Sequence, residues 1–319
     1  MTWKPDLSRL PKRALAGGTE AVRTVRSAVA RRVQIAATRK FVKNLPQSLP
    51  FAGPDLVMGC ACGYQVDVVR PFVESLLGAG RFRGEAVLFV RPEDEALAAY
   101  LRSAGVGVVA LGVNDFPIRS PKRARYFAYL KYLQDALESG RSYRCILLSD
   151  VKDVVFQKPL FESPCSELEL HYEAERPRIG ECQANSFWIK HQFGRKARGR
   201  LADKRISCAG TTTGRTRGIL HYLAEMTILL ISLPPELDVG DQGVHNYVLH
   251  TGLLPEARVL DNFERVATLE NVSGEDLHIA ASGQVVNPGG SVSEIVHQYD
   301  RHPHPCSAIR RSFKVATQP

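Results

Sequence analysis

The stretch Cys145–Phe156 reads CILLSDVKDVVF and is the most informative in the chain. An apolar run delivers Asp150, Asp153 follows three residues later, and a second apolar run begins at once. Two carboxylates on so apolar a carrier are costly unless something neutralises them. A divalent cation would do so. Mg²⁺ or Mn²⁺ takes one or two carboxylates from a protein and shares its remaining positions with substrate phosphates. Taken alone, the same residues fit a turn with an Asp cap and a surface Asp–Lys pair equally well.

The elements around this segment give it a place. Apolar runs at Asp55–Cys60, Glu85–Val90, Val106–Leu111 and Cys145–Leu148 read as strands. Helical patterns at Val66–Leu77, Glu93–Ser103 and Pro121–Glu138 separate them. Strands alternating with helices predict βαβ units, hence an α/β fold with a mostly parallel central sheet flanked by helices. Ligands of such sheets bind beyond the C-terminal strand ends. Two ends are therefore of interest: Cys60–Tyr64 after the first strand, with Cys60, Cys62 and Tyr64, and Ser149–Asp153 after the fourth. Neither carries a Gly-x-Gly-x-x-Gly or a Walker-type loop, which disfavours dinucleotide dehydrogenases and P-loop enzymes.

Charge is segregated along the 319 residues. Residues 1–45 hold eleven Lys/Arg against two Asp/Glu, and beyond them 31 basic and 31 acidic residues cancel. From about Thr19 to Val42 the spacing of Val22, Val25, Val29, Val33 and Ala36 predicts one apolar stripe on a basic helix. Such an arm, placed at residues 1–50 ahead of a body at 51–319, suits an anionic membrane surface. A solvated arm and an organelle transit peptide are the alternatives. Few aromatics accompany the basic residues, which argues against nucleic acid. No apolar run of about 18 residues crosses a membrane, and no secretory signal is apparent at the N-terminus. The seven cysteines lack zinc-site spacing and lie largely in apolar runs, as buried free thiols in a reducing compartment do. The expected location is cytoplasmic, peripheral on the inner face of a membrane if the arm docks.

The order of several segments carries a resemblance. These are Ser120–Glu138, the LLSDVKDVVFQ run, Asn185–Trp188, the Cys208-Ala209-Gly210-Thr211-Thr212 turn, Gly240-Asp241-Gln242-Gly243 and Val296–His302. Over about residues 55–305 the chain resembles nucleotide-diphospho-sugar glycosyltransferases of the GT-A type. It is most similar to a bacterial group whose DxD-like motif reads D-V-x-D-V-x-F-Q, and distantly similar to glycosyltransferase family 8. The resemblance implies a single Rossmann-like GT-A domain. It implies Mn²⁺ or Mg²⁺ held by Asp150 and Asp153, here spaced D-x-x-D rather than D-x-D, with His297 completing the metal site. It places Gly210, Thr211 and Thr212 under the donor sugar and Asp241 or Gln242 beside the anomeric carbon. Arg301 would face phosphate, or pair with Asp300. Arg125 would reach the nucleotide, or face solvent. Asn185 and Trp188 would lie on a donor- or acceptor-facing loop, or Trp188 would pack in the core.

The expected activity is metal-dependent transfer of a sugar from a nucleotide-diphosphate donor, with UDP the expected nucleotide, to a glycan or lipid-linked acceptor, with retention. Two other readings compete. One is a non-catalytic nucleotide-sugar or membrane-surface binding module. The other is a phosphohydrolase of the haloacid dehalogenase type, which would want Asp where Lys152 stands.

Overall fold

The computed structural model describes residues 20–46, 49, 53–112, 120–234 and 240–314, with side chains from residue 29 onward. Its first strands and helices alternate as the apolar pattern predicts: β1 (Leu56–Cys60), α2 (Val66–Leu77), β2 (Glu85–Val90), α3 (Glu95–Ser103), β3 (Gly107–Ala110), α4 (Pro121–Glu138) and β4 (Ile146–Ser149), all preceded by α1 (Glu20–Lys43). The chain then passes through β5 (Val154–Phe156), β6 (Leu168–Tyr172), α5 (Gln183–Leu201), β7 (Ser207–Gly214), α6 (Thr216–Ser232), α7 (Asp241–His250), β8 (Ala257–Leu260) and β9 (Val266–Thr268). A β10–β11 hairpin (His278–Ile279 and Val285–Val286), β12 (Ile295–His297) and α8 (Pro303–Ser312) complete it.

Seven strands form the central sheet in the order β3-β2-β1-β4-β7-β6-β8. Strands β3, β2, β1 and β4 are mutually parallel, and β7 runs antiparallel to both β4 and β6. The chain steps from β1 outward to β2 and β3, then returns to β4 on the other side. The C-terminal ends of β1 and β4 therefore flank a topological switch point, where open α/β sheets bind ligands. One sheet face packs on α4, α6 and α7 through Tyr126, Tyr129, Tyr222 and Met226. The other packs on α2 and α3 through Phe72, Leu76, Leu97 and Leu101. A small sheet, β5-β12-β9, builds a second layer beyond β4 and packs on α8 through Ile309.

The small-residue segment Ser207–Gly214 is a central strand rather than the expected turn. All eight residues are buried between β4 and β6. Thr is β-branched and suits a pleated surface, but a polar, small-residue composition disguises a strand covered on both faces. Asn185 and Trp188 likewise lie in α5, not on a loop. Cys145 and Cys165 are joined by a disulfide, so the reading of buried cysteines as free thiols does not hold for this pair.

Helix α1 forms where the basic amphipathic pattern lies, but a different stripe docks. It packs against α6, with Ile35, Phe41 and the following Leu45 against the core and Thr38 buried. Val33 and Ala36, both on the expected stripe, are exposed. Val22 and Val25 lie outside the residues whose side chains are described. Spacing alone admitted two faces, and the larger side chains Ile35 and Phe41, which offer more apolar area, decide which one is buried. No helix among the described residues is long and apolar enough to cross a membrane.

Candidate metal centre and cleft

Asp150 follows β4 directly, and Asp153 precedes β5 by one residue. The turn between them carries the chain from the large sheet to the small one. Both edges of this turn are held by ladders. The Asp150 amide donates to the Gly210 carbonyl at 2.7 Å, extending the β4–β7 pairing. Strand β12 runs antiparallel to β5 with His297 opposite Val154, and the Gln298 amide donates to the Asp153 carbonyl at 2.8 Å. Register alone thus brings His297 beside Asp153, across 144 residues of chain.

Asp150, Asp153 and His297 converge and can hold a metal ion. His297 Nε2 lies 3.5 Å from an Asp150 oxygen and 3.7 Å from an Asp153 oxygen. Two ligands of one ion at about 2.0–2.2 Å can be separated by no more than about 4.4 Å, so the spacing fits. A buried atom without a partner makes the same point. His297 is 1% exposed, and its Nε2 has no hydrogen-bond partner. Its other ring nitrogen, Nδ1, lies 3.3 Å from Cys208 Sγ, which fixes the ring as the outer partner of a metal-bound imidazole does. Gly210 makes room for this arrangement. A Cβ there would stand 2.2 Å from His297 Cε1 and 2.8 Å from an Asp150 oxygen.

The two carboxylates differ in their surroundings. Burial pushes Asp150 upward, but Arg125 and His297 outweigh it and hold the group below the usual carboxylate range. Asp153 is pushed upward by burial and by the charges of Asp150 and Asp300, against the opposing pull of His297 and Arg301. Burial would lower His297, yet Cys208, Asp150 and Asp153 together hold it well above the ordinary histidine range. When protonated, the imidazole pairs with both carboxylates.

The centre forms one wall of a cleft of about 640 Å³. Cys60, Cys62 and Tyr64, expected at the end of β1, line it. The Tyr64 phenol is pushed up to about 12 by burial and by the nearby Asp150 and Asp153. Cys60 is lowered chiefly by a hydrogen bond from Cys62, against the upward push of burial. The first turns of α4 and α7 supply the opposite side. Ser120 caps α4 with Pro121 at its first position, where its missing N–H costs nothing. Lys122 and Arg123 from this turn also line the cleft, as do Lys152 and Arg301.

Arg125 is not on a solvated face. It is buried and bridges two carboxylates, pairing with Asp150 and donating to Asp241 at 2.7 Å. Tyr126 donates to the same Asp241 oxygen at 3.1 Å. Asp241 is thereby held facing the cleft as the first residue of α7, with Gly240 in the capping position. Arg301 makes the expected pair with Asp300 and also reaches the cleft. It pairs with Asp300 at 2.7 Å and Glu270 at 2.6 Å while its side chain, 42% exposed, lines the cleft 4.0 Å from Asp153.

Six expected residues do not line the cleft: Gly210, Thr211, Thr212, Asn185, Gln242 and His297, the last buried behind the two aspartates that do. Thr211 and Thr212 are fully buried within β7, because two-sided coverage of that strand leaves no path outward. Gln242 donates to Glu173 at 2.9 Å and is turned toward Asn185 as well. Trp188 does line the cleft, its ring packed over Gly240. Sequence reasoning missed Glu173 and Cys208 as site neighbours. Glu173 is 2% exposed, accepts from Gln242 and from Asn271, and is raised chiefly by burial. Cys208 lay inside a quoted motif, but reading the motif as a turn hid that its sulfur faces His297.

No model of a known protein family matches the sequence, and no curated protein matches it.

Proposed function

We propose that the protein is a metal-dependent glycosyltransferase of GT-A type that takes its sugar from a nucleotide-diphosphate donor, with UDP as nucleotide. The observation that carries this reading is the convergence on one buried imidazole nitrogen, His297 Nε2, of two carboxylates that line a cleft with cations at its mouth. A site for a divalent ion beside Lys122, Lys152 and Arg301 suits a pyrophosphate, which needs positive charge on more than one side. The order of the sequence motifs and the mostly parallel sheet support the same reading.

Asp150, Asp153 and His297 would hold Mn²⁺ or Mg²⁺, the imidazole favouring Mn²⁺. When bound, such an ion stabilises charge that builds on the departing diphosphate. Arg301 and Lys152, which share Asp300 as an ion-pair partner, bring positive charge to the same mouth of the cleft, where it can meet charge developing on phosphate oxygens. Arg125 holds the Asp150 and Asp241 side chains in one geometry, so the centre and the opposite wall are tied by a single guanidinium. Asp241, oriented by Arg125 and Tyr126, presents a carboxylate to the cleft that can orient an acceptor hydroxyl or favour an oxocarbenium-like state. Trp188 offers an apolar surface beside it.

Thermal-shift and transfer assays on the purified chain test this reading. Stabilisation by Mn²⁺ together with a UDP-sugar, accompanied by metal-dependent donor hydrolysis or transfer, is the expected result. Stabilisation without turnover would make the protein a binding module. A response to Mg²⁺ and phosphate analogues alone would make it a phosphohydrolase.

A further inference from the structure

Helix α1 turns one face to α6 and presents the other outward, and the composition of that outer face is one-sided. Arg32, Arg39, Lys40 and Lys43 are all exposed, as are Val33, Ala36 and Ala37. At 100° per residue, positions 32, 36, 39, 40 and 43 fall within about 100° of one another, with Val33 at their margin. Acidic residues are absent from Ala21 through Lys43. Val33 is 47% exposed and one of only two large apolar side chains named as exposed among the described residues, the other being Phe187. The helix is held against the body by Ile35, Thr38, Phe41 and Leu45, so its basic face is displayed on a fixed support.

We infer that the outer face of α1 is a docking surface for an anionic lipid bilayer. Charge complementarity selects this occupant. Residues 1–45 carry the net charge of +9 while the rest of the chain is balanced, so attraction to an anionic plane acts through this segment rather than through the body. Each Lys or Arg near such a surface is worth about 1 kcal/mol. Ala36 among the cations and Val33 at their margin add a shallow apolar contact, which a headgroup layer accommodates. A single-stranded nucleic acid would want aromatic rings among the cations for base stacking, and this face has none. The surface is separate from the cleft, and the inference does not rest on the proposed chemistry.

Flotation of the full-length chain with vesicles tests it. Vesicles of phosphatidylcholine with about a third phosphatidylglycerol should carry the protein at moderate salt, pure phosphatidylcholine should not, and high salt should release it. Replacing Arg32, Arg39, Lys40 and Lys43 together by Gln should weaken binding at least tenfold. Val33→Asp, which places an acid on the same exposed face without touching the packed one, should weaken it several-fold. Circular dichroism melting of both variants verifies that α1 stays folded on the body. Equal binding to neutral and anionic vesicles, or unchanged binding by both folded variants, would overturn the inference. So would tighter binding to a DNA duplex or a single-stranded RNA than to anionic vesicles, lost in the same Gln variant, because the face would then be a nucleic-acid surface.

Discussion

Two clusters of carboxylates are buried along the junction of the large and small sheets, and they are neutralised in opposite ways. Glu169 and Glu294 flank Arg265, which stands 3.0 Å from one and 3.7 Å from the other and is itself buried. That cluster carries its own permanent cation. Asp150 pairs with Arg125 and Asp153 stands 4.0 Å from the half-exposed Arg301, but between the two carboxylates is His297, whose charge depends on a proton. A guanidinium cannot be exchanged for another cation, whereas a protonated imidazole can give up its proton and become a ligand. The first arrangement serves architecture. The second leaves a position for an ion to enter.

This contrast is broken most severely at Asp150. Asp150→Ala should reduce metal-dependent turnover by on the order of 10³, and calorimetry should show Mn²⁺ uptake lost while urea unfolding remains cooperative. Retained Mn²⁺ uptake would place the ion elsewhere. Arg265→Met should do the converse. It leaves the buried Glu169 and the half-buried Glu294 uncompensated, so stability should fall by about 3–5 kcal/mol, read from urea midpoints, with the Mn²⁺ dissociation constant of the folded fraction unchanged. Gly210→Ala sharpens the comparison without altering charge. Its new methyl displaces His297 and Asp150, and Mn²⁺ affinity should weaken about 10–100-fold. An unchanged affinity would mean that the ring and carboxylate shift without cost.

A smaller effect concerns histidines that never meet a metal. His245 is fully buried, bonded to Tyr222 and Ser207, and burial lowers it to about 3. The unfolded chain takes up that proton near pH 6.5 and the folded chain does not, so the contribution of His245 is present above pH 6.5 and is lost as the pH falls toward 3. Between pH 6.5 and 5 this amounts to about 2 kcal/mol. Urea unfolding of the parent chain and of His245→Asn at the two pH values should differ in slope by that amount. Parallel pH dependences would show that the ring is protonated in place.

Much of this was legible in the residues. The apolar runs at Leu56–Cys60, Glu85–Val90 and Ile146–Ser149 and the helices between them followed from periodicity, because each is buried in the ordinary way for its type. The carboxylate pair stood out because acids are conspicuous on an apolar carrier. Strand β7 was hidden by its composition, since Ser, Gly and Thr mark turns more often than central strands. Arg125 was misplaced because a helix with charges at 122, 123 and 125 suggests solvent, and only the fold reveals Asp150 and Asp241 on either side of it. The docking face of α1 was misassigned because valine spacing and isoleucine–phenylalanine spacing are both helical. The neighbours Glu173 and Cys208 are brought to His297 by pairing across sheets, which no local pattern records.

The reversed direction of β7 has a practical consequence for redesign. Because that strand runs against β4, its first half lies toward the C-terminal end of β4 that carries Asp150, while its end at Gly214 lies beside Ile146 at the far rim. The turns at Gly105 and Gly140 also leave the molecule at that far rim, and an added methyl group at either would meet no atom within 4 Å. Affinity tags, fluorophores or inserted modules grafted at residues 104–106 or 139–141 would therefore be carried on the opposite pole from the chemistry.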